Sequence, residues 1–273
     1  MSFFESNLKL FKSTDVDVDF KSQGFIHSLR AIIIAILAES NDDLILSSNL
    51  STYSVQELQE ATKVKYEHDL ETIEDVTYSI DTLVVSFPNN IIKKQALTFI
   101  RTIEKTKKTY TTLILARGSA KLLTFVLQWL KSETGFYFKP LKFDSDFLIE
   151  CMNIVIDGLQ DDMVRLGDLE LSFDIKTQQN NLSSIGIDIP HKEIIKLAKE
   201  SKEDGLKNTI YQFLLESTSI DFAMFDLAKF KCNFLFITKD GKLKFFKGIP
   251  RKGTSDTIGF TAWDFVQKIY NIL

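Results

Sequence analysis

Two stretches in the second half of the chain alternate strictly between apolar and polar residues. In "DLELSFDI" (168–175) every second residue is apolar, and the isoleucines of "SSIGIDIP" (183–190) repeat the pattern. Because successive side chains of a strand point to opposite faces, both stretches predict strands with one buried face. The polar "KTQQNN" between them predicts that the two strands form an antiparallel hairpin.

A second hairpin is predicted near the end of the sequence. The stretches "KFKCNFLFI" and "KLKFFKGI" flank an Asp-Gly turn, which is a frequent hairpin connection. The period of two places Lys242 and Lys244 on one face, and Leu243 and Phe245 on the other. The segment "TAWDFVQKIYNIL" follows, and we predict a helix that begins at Thr261.

Other segments carry the wider apolar spacing of a helix. Residues 23–40 form a long, nearly continuous apolar run, and residues 90–105 repeat apolar positions close to the i, i+3, i+4 pattern. In "RGSAKLLTFVLQWLKSETG", Gly118 permits a turn, Ser119 caps a helix and Gly135 ends it. The pattern therefore predicts three helices separated by strands.

The order of the predicted elements indicates the fold class. Strands tend to be adjacent and hairpin-linked, with helices between the groups, which favours an α+β protein with antiparallel sheets over a doubly wound parallel fold. We divide the chain into an N-terminal α+β part, residues 1–110, and a C-terminal α+β part, residues 111–273. We expect the two parts to form one continuous structural unit.

Basic residues are concentrated in the last predicted hairpin, although the chain has a net charge of −4. Residues 229–252 include eight basic residues and one acid, so this segment carries +7 and the rest of the chain −11. A local basic stripe can bind a polyanion even in an acidic protein. We predict contacts to DNA phosphates from Lys229, Lys231, Lys242, Lys244, Arg251 and Lys252. The alternative is a half-buried strand whose lysines face water and discourage aggregation.

The same hairpin also predicts a surface for a protein partner. Its strands are terminal and strongly apolar, and an exposed sheet edge can accept a strand from another protein. We predict such an edge at residues 234–246, with partner contacts from Phe234, Phe236, Leu243 and Phe245.

The sequence contains no familiar pattern of catalytic or metal-binding residues. Its three histidines are isolated from one another, and "RGSAKLLT" has one glycine where a phosphate loop needs several convergent backbone N–H groups. We therefore predict no catalytic residue, no metal and no cofactor. One alternative stays open, a small nucleotide-binding enzyme with a degenerate loop at residues 118–121.

Cysteine usage and hydropathy indicate an intracellular protein. Cys151 and Cys232 lie in separate apolar runs, as is typical of reduced, buried thiols. The longest apolar run, Ala31 to Ala38, has eight residues, whereas roughly 20 are needed to cross a bilayer. We expect neither a membrane span nor a signal peptide.

Several of these segments, taken in order, resemble the centromere protein L (CENP-L) family of inner kinetochore subunits. The resemblance is carried by "LILARGSAKLLTFVLQWLKSETGFYFKPLKF", with its central Trp129 and Leu130, and then by "LELSFDI" and "LSSIGIDIPHKE". The closing "LFITKDGKLKFF" and the terminal helix also fit. The motifs cover residues 111–193 best, and residues 229–273 less closely.

The resemblance implies a non-enzymatic nuclear protein of the centromere and kinetochore. It implies a curved, mainly antiparallel β-sheet with helices packed on one side. It also implies a heterodimer with CENP-N through C-terminal β-structure, binding of CENP-C and other inner kinetochore subunits, and a role in holding centromeric DNA and the CENP-A nucleosome. A homodimer is expected when the partner is absent. A further alternative is a free-standing, sheet-based nucleic-acid-binding protein.

Overall fold

The chain divides into two compact units, each described here by itself. The computed structural model describes residues 6–14, 18–39, 54–87, 94–103, 111–159, 163–175, 183–201, 205–250 and 258–273. Residues 7–141 form the N-terminal unit and residues 142–272 the C-terminal unit. The boundary between these two units lies at 141/142.

The N-terminal unit is an antiparallel sheet with helices. Its elements in the described chain are β1 (Leu8–Thr14), α1 (Gln23–Glu39), α2 (Val55–Ala61), β2 (Lys63–Ile73), β3 (Val76–Ser86), β4 (Gln95–Thr102), β5 (Thr111–Arg117), α3 (Ala120–Thr134) and β6 (Phe138–Pro140). The strand order is β2-β3-β4-β5-β1, and β6 also pairs with β1.

Helices α1 and α3 cover one face of this sheet and close its core. The Phe20 ring stacks on Phe99 of β4 with a centroid distance of 4.4 Å. Phe25 of α1 contacts Trp129 of α3 at 5.6 Å. The predicted helix at 23–40 is thus confirmed over its described length, and its long apolar run is explained by burial against the sheet.

One predicted helix is wrong, because residues 95–102 form strand β4. This strand lies between β3 and β5, and its first six residues are buried. A strand buried on both faces shows a continuous apolar run without alternation, which cannot be distinguished from a buried helix by periodicity. The hydroxyl of Thr98 accepts a hydrogen bond from the Thr82 hydroxyl on β3 at 3.2 Å, so its polar group is satisfied across the sheet.

The C-terminal unit is a second α+β assembly. Its elements are α4 (Ser145–Leu159), β7 (Leu169–Asp174), β8 (Ser184–Ile189), α5 (His191–Glu200), α6 (Gly205–Thr218), β9 (Asp226–Lys231), β10 (Leu235–Thr238), β11 (Lys242–Phe245) and α7 (Ala262–Asn271). The strands follow the order β11-β10-β9-β7-β8, and each neighbouring pair in this order is antiparallel. Both predicted hairpins, β7–β8 and β10–β11, are confirmed.

Aromatic side chains hold these strands to the helices and turns of the unit. Phe173 of β7 lies 5.0 Å from the ring of Phe222, and Phe245 of β11 lies 6.2 Å from Phe265 of α7. All four side chains are buried. The apolar half of each alternating strand therefore faces helices and turns, and the polar half faces outward.

The predicted fold class is confirmed as α+β with a curved, mainly antiparallel sheet. The predicted ends of α3 are confirmed as well. Ser119 Oγ accepts a hydrogen bond from the Leu122 N–H, and Gly135 adopts a left-handed conformation with φ of 71° while its N–H donates to the Lys131 carbonyl. Thr261 precedes α7, and its N–H donates to the Asp264 carboxylate at 2.6 Å.

A buried carboxylate joins three neighbouring strands of the N-terminal unit. The Asp81 side chain on β3 is 5% exposed and accepts hydrogen bonds from Tyr66 Oη at 2.7 Å and from Arg101. His68 Nδ1 lies 2.9 Å from the same carboxylate. Burial alone would raise the pKa of Asp81, but the hydrogen bonds from Tyr66, His68 and Arg101 outweigh it and lower the pKa. Burial, together with Asp81, raises the pKa of Tyr66 to about 12.

We expect Asp81→Asn to lower the free energy of unfolding by about 2–4 kcal/mol, because it removes the charge that Arg101 faces in a buried site. A carboxylate with a lowered pKa stabilises the fold above its unfolded pKa, and this contribution disappears as the pH falls through the folded pKa. The difference between wild type and variant should therefore shrink below about pH 4. Denaturant unfolding between pH 7 and pH 3 measures it.

The matched control is Glu67→Gln on β2, which removes an exposed ion pair with Lys65 (2.8 Å). Exposed pairs contribute little, so this variant should unfold within about 0.5 kcal/mol of wild type. A pH-independent difference between wild type and Asp81→Asn would contradict the role assigned to the Asp81 charge.

Candidate nucleic-acid interface

The outward face of β9, β10 and β11 brings together four of the lysines predicted to contact DNA. Lys231 on β9 lies opposite Phe236 on β10, and Phe236 lies opposite Lys244 on β11. Lys242 shares this face because it is two residues from Lys244. We call the surface formed by the following residues the lysine face: Lys229, Lys231, Lys242 and Lys244.

An acidic residue on the neighbouring strand offsets part of this charge. Glu170 on β7 accepts a hydrogen bond from Lys229 Nζ at 2.9 Å and another from Lys231. These two lysines, with Lys231 the stronger contributor, hold the pKa of the Glu170 carboxyl below its usual value. The three side chains together carry a single positive charge, so the β9 side of the lysine face is weaker than its sequence suggests.

The β11 side keeps more of its charge. Lys242 is exposed, and Lys244 Nζ lies 4.7 Å from the centre of the Phe246 ring, which is a cation–π distance. Neither lysine forms an ion pair within the described part of the chain. Two further predicted contacts, Arg251 and Lys252, lie outside the described residues.

Residues 234–246, where the sequence predicts a partner edge, lie largely within the C-terminal unit. Strand β10 is an inner strand between β9 and β11, and Phe234, Leu243 and Phe245 are at most 3% exposed. Phe234 packs edge-on against Phe260 at 5.4 Å. These apolar side chains therefore belong to the core of the C-terminal unit. Of the four predicted residues, Phe236 faces outward, where it lies within the lysine face.

The turn before α3 uses its backbone N–H groups internally. The Ser119 N–H donates to Gln95 Oε1 at 2.7 Å, and the Leu122 N–H donates to Ser119 Oγ at 3.3 Å. A Cβ at Gly118 would lie 1.8 Å from Gln95 Oε1, so glycine is needed for this contact. A phosphate bound here would have to displace hydrogen bonds that already cap the helix.

Glu170 is the residue of this surface that sequence reasoning missed. Its outward position follows from the alternation in β7, but its contact with the lysines depends on the pairing of β7 with β9 (Glu170 opposite Lys231). Strand β8 and the helices α5 and α6 lie between them along the chain. No local sequence pattern indicates such a pairing. The alternation in β7 indicates only that Glu170 lies on the solvent-exposed face.

The described residues contain no group of three or more His, Cys, Asp or Glu side chains that could hold a metal ion. Cys151 and Cys232 are buried free thiols, and burial raises their pKa values to about 12 and about 11, which disfavours the reactive thiolate. No described helix is long and apolar enough to span a membrane.

The sequence matches a known protein family. The family model described as CENP-L, centromere protein L, matches residues 70–273. The match begins within β2 and includes α3, the β7–β8 hairpin and the strands of the lysine face. No curated protein matches the sequence in a direct comparison.

We expect Glu170→Gln to strengthen polyanion binding, because it releases Lys229 and Lys231 from their shared carboxylate. The salt concentration needed to elute the protein from a heparin column should rise. Glu193→Gln is the matched control, since it makes the same charge change and breaks an ion pair with Lys196 (2.7 Å) on α5. Equal elution shifts for the two variants would show that net charge, and not the lysine face, governs binding.

Proposed function

The chain belongs to the centromere protein L family and is therefore a centromere and kinetochore protein, and we propose that it is a non-enzymatic scaffold subunit that pairs with a CENP-N-like subunit and helps hold centromeric DNA. The family is one of structural kinetochore subunits, which implies a nuclear location at the centromere. Within this proposal the complex also holds CENP-C and the CENP-A nucleosome.

The DNA part of the proposal is carried by the lysine face. Its side chains project from β9 and β11, which lie on either side of β10, so the spacing of their charges is fixed by the sheet. Lysine ammonium groups act as point charges and do not offer the planar, bidentate geometry that reads base edges. The surface therefore suits phosphate contacts, which position a protein on DNA without specifying sequence.

The partner part of the proposal moves from the β10–β11 hairpin to β8. Strand β8 ends the strand order of the C-terminal unit, and on its outer side it pairs with no strand in the described chain. Ile185 and Ile187 are half-buried, and β8 is short. An open strand with partly exposed β-branched side chains can accept a further strand through its backbone. Without the partner, the same edge can pair two copies of the chain.

Backbone geometry shows which groups of β8 are available for this addition. The Ile175 N–H donates to the Ser183 carbonyl at 3.1 Å, and residues of an antiparallel pair alternate between bonded and non-bonded positions. Ile175 and Ser183 are therefore a bonded pair. Gly186 lies three positions further along β8, opposite Ser172, and is in a non-bonded pair. Its N–H and carbonyl consequently point away from β7. A Cβ at Gly186 would meet no atom within 4 Å.

We expect Gly186→Pro to weaken capture of the CENP-N-like subunit by about tenfold or more. Proline removes an outward N–H at the centre of the open edge, while the hydrogen bonds between β7 and β8 do not use that N–H. Co-expression followed by affinity purification measures the captured subunit, and sedimentation of the chain alone measures the homodimer.

Gly186→Ala is the matched control, because it adds a Cβ in open space and keeps the N–H. It should capture the partner as wild type does, and the thermal unfolding of both variants shows whether each is folded. Undiminished capture by folded Gly186→Pro would place the partner elsewhere.

For DNA, we expect Lys242→Gln combined with Lys244→Gln to weaken binding by the partnered complex. Each lost phosphate contact should reduce the slope of log K against log salt by about 0.9. Fluorescence anisotropy with a labelled duplex over a range of salt concentrations measures this slope.

The control is Lys192→Gln combined with Lys199→Gln, two exposed lysines on α5, which makes the same change in net charge. If this pair reduces the slope as much as the lysine-face pair does, the lysine face does not contact the DNA.

A further inference from the structure

A groove in the C-terminal unit has no part in the function proposed above. It has a volume of about 560 Å³ and opens between the start of α4, one side of α6 and the segment that leads into β9. This volume falls within the roughly 300–1,000 Å³ typical of ligand sites. The groove shares no residue with the lysine face or with β8.

Apolar side chains line the groove and reach its rim. Met224 is 80% exposed and Leu215 is 38% exposed, and both line the groove together with the half-buried Ile149 and Phe225. Single exposed apolar residues are ordinary on a protein surface, but several around one concavity mark a place where an apolar group can bind. Methionine suits such a role because its unbranched side chain adapts to its neighbour.

The charge around the groove is mainly negative. The carboxylates of Asp146, Asp221 and Asp226 line it, and all three residues are exposed. The lining includes one basic residue, Lys207, whose Nζ lies 6.0 Å from the centre of the Tyr211 ring. Exposed apolar side chains beside carboxylates are complementary to a segment that carries both apolar and basic side chains.

The walls of the groove are fixed by hydrogen bonds and packing. The Leu227 N–H donates to Ser145 Oγ at 2.9 Å, which ties the start of β9 to the start of α4. The Ala223 N–H donates to the Asp221 carboxylate at 3.0 Å, and the adjacent Phe222 is buried. A binding surface formed in advance loses less entropy when a ligand binds.

We propose that this groove binds a basic, amphipathic peptide segment of another protein. An apolar side chain of the segment enters between Met224 and Leu215, and its lysines or arginines lie against Asp146, Asp221 and Asp226. The acidic rim repels nucleic acid, so the groove and the lysine face suit ligands of opposite charge. Peptide binding in this groove requires neither the CENP-N-like partner nor DNA, so it is additional to the proposed function.

The test uses the full chain and a short fluorescein-labelled peptide of leucine and lysine, with its leucines at helical spacing. Fluorescence anisotropy should show binding to wild type. Met224→Ser should weaken the affinity about tenfold, as expected for loss of an apolar anchor. Asp146→Asn should weaken it severalfold and reduce its dependence on salt. A peptide with glutamate in place of lysine should not bind.

Two control variants separate the groove from general attraction to an acidic protein. Val164→Ser changes an apolar residue that is 64% exposed and does not line the groove, and Glu200→Gln removes an exposed acid on α5. Both should bind the peptide as wild type does. Met224 is mostly exposed, so its replacement should leave thermal unfolding unchanged.

Three outcomes would overturn the proposal. In the first, wild type does not bind the lysine peptide. In the second, the groove variants and the control variants weaken binding equally. In the third, wild type sediments as a dimer that Met224→Ser abolishes. The last result would identify the occupant of the groove as a second copy of the chain.

Discussion

Burial of one face of β9, β10 and β11 is the constraint on which the C-terminal unit depends. Phe230, Leu235, Ile237, Leu243 and Phe245 are all fully buried, and they come from alternating positions of three paired strands. A shift of one residue in register would exchange every buried side chain for an outward one. The loss of apolar burial would be large and lysines would enter the core, so the pairing is fixed and the lysine face is fixed with it.

The same constraint explains why the chain carries acids beside its basic stripe. Lysines on neighbouring strands repel one another when they share a face, and like charges opposite each other destabilise a sheet. Glu170 lies between Lys229 and Lys231 and reduces this repulsion, and Asp174 forms an ion pair with Lys239. These ion pairs stabilise the fold, but they neutralise part of the positive charge near β9. The β11 side of the lysine face therefore attracts a polyanion more strongly than the β9 side does.

A scaffold subunit needs several surfaces that can be occupied at once, and the C-terminal unit offers three of different chemistry. The lysine face presents positive charge, the outer edge of β8 presents backbone groups, and the groove beside α6 presents apolar side chains with acids. The three surfaces differ in chemistry, so a ligand suited to one is poorly suited to the others. This separation is consistent with a family of structural kinetochore subunits.

The sequence by itself determined the elements whose patterns are local. The alternation in β7 and β8, the Asp-Gly turn before β11 and the caps at Ser119, Gly135 and Thr261 each depend on residues a few positions apart, and the structure confirms them. Tertiary structure decided the rest, because burial on both faces and pairing between distant strands leave no local period. It made β4 a strand, buried three of the four predicted partner residues in the core, and placed Glu170 against the lysines.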